Sequence, residues 1–144
     1  MYGVCSIGPV PLGVDIEILS KKRNFKEVAS RFYHKKEKEF IDSHIDNALN
    51  AFYFLWTRKE SWIKLHDLSI LEIQKVPVCL DNSPEGAFFS WEGNGEIPFS
   101  LSLCLPKSQS PYSIVFMKDF FPLVISLQQV IISEGRMSFR PEKG

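Results

Sequence analysis

The segment 47–66 constrains the fold of this chain more than any other stretch of the sequence. Its main apolar residues lie near one helical stripe, and they are Leu49, Phe52, Trp56 and Ile63. Asp46 or Asn47 can cap the start of the helix, because both side chains accept hydrogen bonds from free backbone N–H groups. The pattern predicts a long amphipathic helix, which must bury its apolar stripe against a second layer of structure.

Two shorter helices are predicted before the long one. Asn24 is a favourable N-cap, and Glu27 stands three residues later in the capping-box position. The residues that follow at helical spacing on one apolar face are Phe25, Val28, Ala29 and Phe32. The stretch 35–45 predicts a second short helix, which is highly charged.

Residues 12–18 alternate strictly, which predicts a strand with two unlike faces. The apolar face carries Val14, Ile16 and Ile18. The polar face carries Asp15 and Glu17. We expect the long helix to pack on the apolar side of this sheet or across its end.

The second half of the chain is predicted to be rich in strands. Clusters of Gly, Pro, Asn and Ser separate candidate strands at 69–76, 87–91, 97–105, 112–117 and 136–140. A short strand is also predicted at 2–7, and residues 122–132 fit either a strand or a short helix. The order of strands, then helices, then strands predicts an α+β fold, with a mainly antiparallel sheet packed against a long amphipathic helix.

Charge and hydropathy exclude several classes of function. The 17 Lys and Arg residues balance the 17 Asp and Glu residues, and a zero net charge argues against a nucleic-acid binder. The apolar runs fall short of the roughly 20 residues that a membrane helix needs, so no membrane partner is expected. Residues 1–13 lack the basic start and the long apolar stretch of a secretory signal.

The cysteines indicate a reducing environment. They are three in number and widely spaced, at Cys5, Cys79 and Cys104. They form no CxxC pair, and the three histidines also lack the spacing of zinc ligands. A cytoplasmic location is therefore expected.

Three carboxylates are the strongest candidates for a functional site. Asp15 and Glu17 share one strand face, about 6–7 Å apart along the strand. Glu60 lies on the long helix, one turn before Lys64. Oxygen ligands of this kind suit Mg²⁺, and Lys64 would then stand beside a bound phosphate.

Each of these features also has a plainer interpretation. A pair of acids on a strand is usually a solvated face. Glu60 and Lys64 at this spacing are usually a surface ion pair worth about 0.3–0.5 kcal/mol. The segment from Lys21 to Lys38 holds eight basic and two acidic residues, so its local charge is +6. That segment is either a solvated helix face or a surface that attracts an acidic partner.

Three sequence motifs favour a specific interpretation of these carboxylates. GVDIE at 13–17, RFYHKKEKEFI at 31–41 and FLWTRKESWIK at 54–64 occur in this order. Together they resemble the 4'-phosphopantetheinyl transferase superfamily, specifically the surfactin-synthetase-activating (Sfp) type. The resemblance covers about residues 1–75 and is fainter over 97–117.

The resemblance implies a reaction. Members of the family move the 4'-phosphopantetheine arm of coenzyme A to a serine of an acyl or peptidyl carrier protein, and they release 3',5'-adenosine bisphosphate. By match to the family's motifs, Asp15, Glu17 and Glu60 would bind Mg²⁺, and Lys64 would contact the pyrophosphate of coenzyme A. Glu60, or a water that it positions, would take the serine proton. Glu37 would lie near the attacking serine or the metal.

The resemblance also implies a second half-domain. Enzymes of this type consist of two similar halves with the active site between them, and the motifs here match the second half. Leu103 stands where a smaller, self-associating type carries a histidine. Two explanations stay open: the chain is a piece of a longer protein, or it works as a homodimer or homotrimer.

The predicted organisation is a transferase-like domain over 1–118 and a C-terminal tail of unknown role over 119–144. Two other functions also stay open. The chain could be an inactive half-enzyme or interaction module that retains only metal or carrier binding. It could also be a metal-free structural domain whose acidic face is simply solvated.

Overall fold

The structure, a computed structural model, describes residues 6, 8, 10–22, 24–80, 86–93 and 97–107, and the backbone of 114–118, 126–133 and 136–138. The chain divides into two compact units, Met1–Ser108 and Gln109–Gly144. All the predicted site residues belong to the first unit. The proposed boundary between residues 118 and 119 stays a prediction. The strand predicted at 2–7 lies outside the described residues, apart from Ser6.

In its described residues, the first unit combines three α-helices with a three-stranded sheet. Its elements in chain order are β1 (Gly13–Ile18), α1 (Phe25–Phe32), α2 (Lys35–Ser43), α3 (Ala48–Leu65), β2 (Gly86–Gly93) and β3 (Phe99–Pro106). The sheet has the order β1-β3-β2, and both strand pairs are antiparallel. The predicted α+β class with an antiparallel sheet and a long helix is therefore confirmed.

The second unit contains a separate antiparallel sheet. Its strands are β4 (Ile114–Lys118), β5 (Ser126–Ser133) and β6 (Arg136–Ser138), and β5 lies between the other two. The segment 122–132, which fitted either a helix or a strand, contributes most of β5.

The helices start where the sequence predicts. The Asn24 side chain accepts a hydrogen bond from the backbone N–H of Glu27 at 3.4 Å, which begins α1. A 3₁₀ turn over Ile45–Asn47 leads directly into α3. None of the helices in the described part of the chain combines the length and the apolar character that crossing a bilayer requires.

The strand predicted at 69–76 is wrong, because Ile70–Lys75 forms a 3₁₀ helix. The Glu72 carboxylate accepts a hydrogen bond from the backbone N–H of Ser69 at 3.1 Å. The Ser69 hydroxyl in turn accepts one from the backbone N–H of Leu71 at 3.3 Å. These local bonds satisfy the first free donors of a helical turn, and they outweigh the strand propensity of the apolar residues between them.

The expectation that the long helix packs on the apolar side of the sheet or across its end is also wrong. The register places Asp15 opposite Ser102 and Glu17 opposite Ser100, so all four side chains share one face. Thr57 on α3 lies with its Oγ1 3.1 Å from the Oγ of Ser100. Helix α3 therefore covers the face that carries the acids and the serines.

Small side chains make this packing possible. The Ser61 hydroxyl of α3 donates to the Oγ of Ser102 at 3.3 Å, and Ser102 is fully buried. A Cβ atom added to Gly13 would overlap the backbone oxygen of Ser61 and lie 2.6 Å from the backbone nitrogen of Leu65. The sheet and α3 thus approach each other backbone to backbone, at a distance that larger residues would not allow.

An aromatic cluster holds α3 against the two shorter helices. Tyr33 stacks on Phe52 with 5.4 Å between the ring centroids, and Phe52 stacks on Trp56 at 5.9 Å. The Tyr33 hydroxyl also donates to the backbone oxygen of Phe52 at 2.9 Å. Burial of such rings provides the main hydrophobic contribution to this side of the helix.

Gly13→Ala should destabilise the fold, because the added methyl group meets backbone atoms of α3 that cannot turn away. We expect a loss of about 2–3 kcal/mol in the free energy of unfolding, measured by urea denaturation. Gly8→Ala is the matched control. There the added Cβ meets the end of the Leu12 side chain at 2.9 Å, which can move. Equal stability of the two variants would contradict the close packing described here.

Candidate functional site

One stripe of α3 faces the two acids of β1. The indole Nε1 of Trp56 donates to Glu17 Oε1 at 3.2 Å. Two turns later, the Nζ of Lys64 donates to Asp15 Oδ1 at 2.7 Å and to the backbone oxygen of Val14 at 3.0 Å. Glu60 stands one turn from both Trp56 and Lys64, on the same stripe. We call this group of residues, Asp15, Glu17, Trp56, Glu60 and Lys64, the α3–β1 seam.

Asp15 is the most constrained residue of the seam. It is only 8% exposed. Its Oδ1 is bound to Lys64, but among the described residues no donor reaches its buried Oδ2. An unsatisfied buried acceptor costs about 1–3 kcal/mol, and a carboxylate oxygen costs more than a neutral one. This atom is therefore placed to receive a further positive group.

The carboxylates are not assembled into a metal-binding cluster as the side chains stand. Within the part of the chain that the structure describes, no three His, Cys, Asp or Glu side chains are grouped so that they could hold a metal ion. Asp15 is turned toward Lys64, and Glu17 toward Trp56. The assignment of Asp15, Glu17 and Glu60 as ligands stays a prediction.

The chemistry of the seam nevertheless fits Mg²⁺. All three candidate ligands are carboxylates, which are the oxygen donors that Mg²⁺ takes. The free Oδ2 of Asp15 offers one such oxygen without the loss of an existing bond. The Lys64 side chain, which now neutralises Asp15, is 49% exposed and can turn to solvent. The residues present therefore fit the ion that the motifs imply.

Glu37 is placed differently from the other predicted site residues. It is fully buried, and its two oxygens accept from the backbone N–H groups of Cys79 and His34, each at 2.9 Å. Its Oε2 also lies 3.0 Å from the Nζ of Lys59, which is fully buried as well. Glu37 could touch a substrate only if this part of the core opened. Its predicted position near the serine or the metal stays a prediction.

The sequence interpretation gave no role to Lys59 and did not single out Arg58. Lys59 lies one turn from Leu55 and one turn from Ile63, and both of these are buried. A lysine within an apolar stripe is the signal that could have identified it as a buried cation. Arg58 donates from Nη1 to the backbone oxygens of Cys79 at 2.9 Å and Leu80 at 2.8 Å.

The basic segment forms a solvent-facing surface. The exposed lysines of this surface are Lys21, Lys22, Lys26, Lys35 and Lys36. Arg31 is paired with Glu27 at 2.8 Å across one turn of α1, and both side chains are more than half exposed. Arg23 lies outside the described residues. An exposed surface of this charge is consistent with simple solvation and also with an acidic partner.

The two described cysteines lie in the core. Cys79 and Cys104 are both fully buried. Burial raises the pKa of each thiol from its usual value of 9.0 to about 12. Because the thiolate is the reactive form, neither residue is suited to nucleophilic chemistry.

Comparison with known proteins identifies relatives of the chain. The model of the 4'-phosphopantetheinyl transferase superfamily matches residues 11–120. The chain is 39% identical over 62 residues to 4'-phosphopantetheinyl transferase gsp of Aneurinibacillus migulanus, covering 42% of this chain and 25% of that protein. It is 37% identical over 62 residues to 4'-phosphopantetheinyl transferase Sfp of Bacillus subtilis (strain 168), covering 42% of this chain and 27% of that protein.

A third relative is matched over a longer segment. The chain is 28% identical over 96 residues to 4'-phosphopantetheinyl transferase AcpT of Escherichia coli (strain K12), covering 66% of this chain and 47% of that protein. The chain thus spans from a quarter to about half of the length of these relatives. No solved structure matches the chain. The resemblance to this superfamily that the three sequence motifs indicated is confirmed.

Cys79 and Cys104 should resist alkylation in the folded protein. With a pKa of about 12, the thiolate is about one part in ten thousand at pH 8. We expect iodoacetamide to label both sites at least about a hundredfold faster in guanidinium than in buffer. Site-resolved mass spectrometry measures the two rates. Equal rates in the two solvents would show that the thiols are accessible in the folded chain.

Proposed function

The chain belongs to the 4'-phosphopantetheinyl transferase superfamily, and on that basis we propose that it transfers the 4'-phosphopantetheine arm of coenzyme A to a serine of an acyl or peptidyl carrier protein. The other product is 3',5'-adenosine bisphosphate. The observation that carries the proposal is the α3–β1 seam, where the residues of two separate sequence motifs meet. Because the chain spans only part of its relatives, the activity is a proposal for this chain.

Asp15, Glu17 and Glu60 are proposed to hold Mg²⁺. The unpaired Oδ2 of Asp15 supports this assignment, since a buried carboxylate oxygen favours a cation. When bound, the ion supplies positive charge that neutralises the pyrophosphate of coenzyme A. Trp56 keeps Glu17 on the seam through the hydrogen bond from its indole.

Lys64 is proposed to bind the pyrophosphate. Its ammonium group lies 2.7 Å from Asp15, at the end of a long and partly exposed side chain. A short turn of this side chain moves the ammonium from the carboxylate to a phosphate oxygen nearby. A positive charge at that position stabilises the charge that develops on the leaving bisphosphate.

Glu60 is proposed to accept the proton of the carrier's serine, either directly or through a water that it positions. The serine Oγ forms a bond to the phosphorus that carries the pantetheine arm. The bond from this phosphorus to the bridging oxygen breaks, and the bisphosphate leaves with the electron pair. Glu60 is partly exposed, so a substrate can reach it.

The basic surface is proposed to attract the carrier protein, because carrier proteins present acidic helices. We also propose that the chain acts as a homodimer or homotrimer when no second half is present, since the family builds its site between two halves. A cytoplasmic location is part of the proposal, because the sequence has no CxxC pair and its two described cysteines are free thiols.

A second function has support from one observation. Asp15 and Glu17 are occupied by Lys64 and Trp56, and no metal cluster is assembled among the residues that are described. This arrangement favours an inactive interaction module that retains carrier binding. One assay separates the two functions: the chain is mixed with Mg²⁺, coenzyme A and an apo carrier protein.

The native chain should add the mass of the phosphopantetheine arm to the carrier, and Glu60→Gln should lower the rate at least about a hundredfold. The reason is that glutamine neither accepts the proton nor binds the ion as a carboxylate does. Mass spectrometry of the carrier measures the transfer. Glu92→Gln, at an exposed position of β2, is the control and should retain full activity.

Three results of this assay are informative. Binding of the carrier without a gain in mass would favour the interaction module. If the chain neither binds the carrier nor transfers the arm to it, the result would favour a structural domain. Full activity of Glu60→Gln would refute the role assigned to Glu60.

Neutralising Lys21 and Lys22 together should weaken carrier binding several-fold at low ionic strength, because both lysines are exposed on the basic surface. The difference from the native chain should shrink as salt is added, since salt screens exposed charges. Isothermal titration with an apo carrier measures both effects. Lys107→Ala, an exposed lysine distant in sequence, is the control. Unchanged affinity at low salt would show that the basic surface does not attract the carrier protein.

A further inference from the structure

A buried ion pair ties α3 to α2. Lys59 and Glu37 are each 0% exposed, with 3.0 Å between Nζ and Oε2. The ammonium makes no hydrogen bond of good geometry within the described structure, although its distance to the carboxylate is that of an ion pair. It also lies 5.6 Å from the centroid of the Tyr33 ring, which offers a further favourable contact.

Stability alone is a weak explanation for such a pair. Removing two charges from water costs several kcal/mol for each ion, and apolar residues of similar volume often stabilise a fold equally well. A buried ion pair does fix the relative position of its two partners, because a displaced partner leaves an uncompensated buried charge. The Glu37–Lys59 pair therefore restricts where α3 can lie.

Glu37 joins three segments of the chain. Its carboxylate meets Lys59 of α3, the first backbone N–H of the α2 cap at His34, and the backbone N–H of Cys79. Cys79 is also bound to α3, because its backbone oxygen accepts a hydrogen bond from Arg58 at 2.9 Å. Two adjacent residues of α3 are thus linked to Cys79: Arg58 binds it directly, and Lys59 reaches it through Glu37.

The Glu37–Lys59 ion pair lies next to the seam along α3. Lys59 directly precedes Glu60, about 100° around the helix axis. Any rotation of α3 therefore moves Lys59 and Glu60 together. On another flank, the close approach of Gly13 to the backbone of Ser61 limits how far the helix can move toward the sheet.

We propose that the Glu37–Lys59 ion pair is a positioning device, which sets the rotation of α3 and so places Trp56 against Glu17 and Lys64 against Asp15, with Glu60 on the same stripe of the helix. Both side chains are fully buried, so in this proposal they act through the position of α3. The catalytic consequence rests on the proposed function, but the effect on the geometry of the seam does not. The hydrogen bond from Trp56 to Glu17 reports that geometry directly.

The test removes both charges at similar volume, with the double substitution Glu37→Gln and Lys59→Met. No charge is then left unpaired in the core, so the fold should persist. The matched control is Glu72→Gln with Lys75→Met, which removes a solvent-accessible ion pair outside the basic surface. Three quantities are measured: the thermal unfolding midpoint, the ¹H–¹⁵N signal of the Trp56 indole, and kcat with KM for coenzyme A. Trp56→Phe identifies the indole signal.

We expect the double variant to fold and to show a displaced Trp56 signal. We also expect kcat to fall by about tenfold or more while KM for coenzyme A stays within about twofold, because orientation rather than binding is lost. The control should keep the native signal and the native kcat. A lower midpoint with an unchanged signal and unchanged kcat would show a structural role only, and it would overturn the inference.

A second variant covers the case in which the double variant does not fold. Glu37→Asp keeps the charge and shortens the side chain by one methylene, so the pair can persist only if α3 moves. A displaced Trp56 signal is expected, and a native signal would overturn the inference. If the native chain transfers nothing, the proposed function fails, and the Trp56 signal of these variants still decides the positioning role.

Discussion

The close contact between α3 and the polar face of the sheet determines most of this structure. It requires a glycine at position 13, because any side chain there would enter the backbone of α3 near Ser61. It also requires short side chains on β3, where Ser102 meets Ser61. Hydroxyl groups on both sides bind each other, so the serines of this face are buried without loss of hydrogen bonds.

This contact explains why the acids can form a site. Asp15 and Glu17 lie on β1, an edge strand among the described strands of its sheet, and their side chains project toward α3. An acid on the opposite face would stand among leucines such as Leu101 and Leu103, which are 8% exposed. At the edge of the helix-covered face, a carboxylate is held by the helix and still borders solvent.

The seam also shows how the fold stabilises two acids at one edge of the sheet. Lys64 neutralises one oxygen of Asp15, and Trp56 donates to Glu17. The remaining oxygen of Asp15 is left without a donor in the described structure. An unsatisfied buried acceptor of this kind costs free energy, and the tight packing of α3 elsewhere compensates for that cost.

The sequence by itself determined the helices, most strands and the residues of the seam. Caps such as Asn24 and the alternation of 12–18 are local signals, and the sequence motifs identified the family. Only the tertiary structure decided which face α3 covers, that Ser69 starts a 3₁₀ helix, and that Glu37 pairs with Lys59 in the core. The reason is physical: periodicity fixes which side chains share a face, whereas pairing between distant segments depends on how closely their backbones approach.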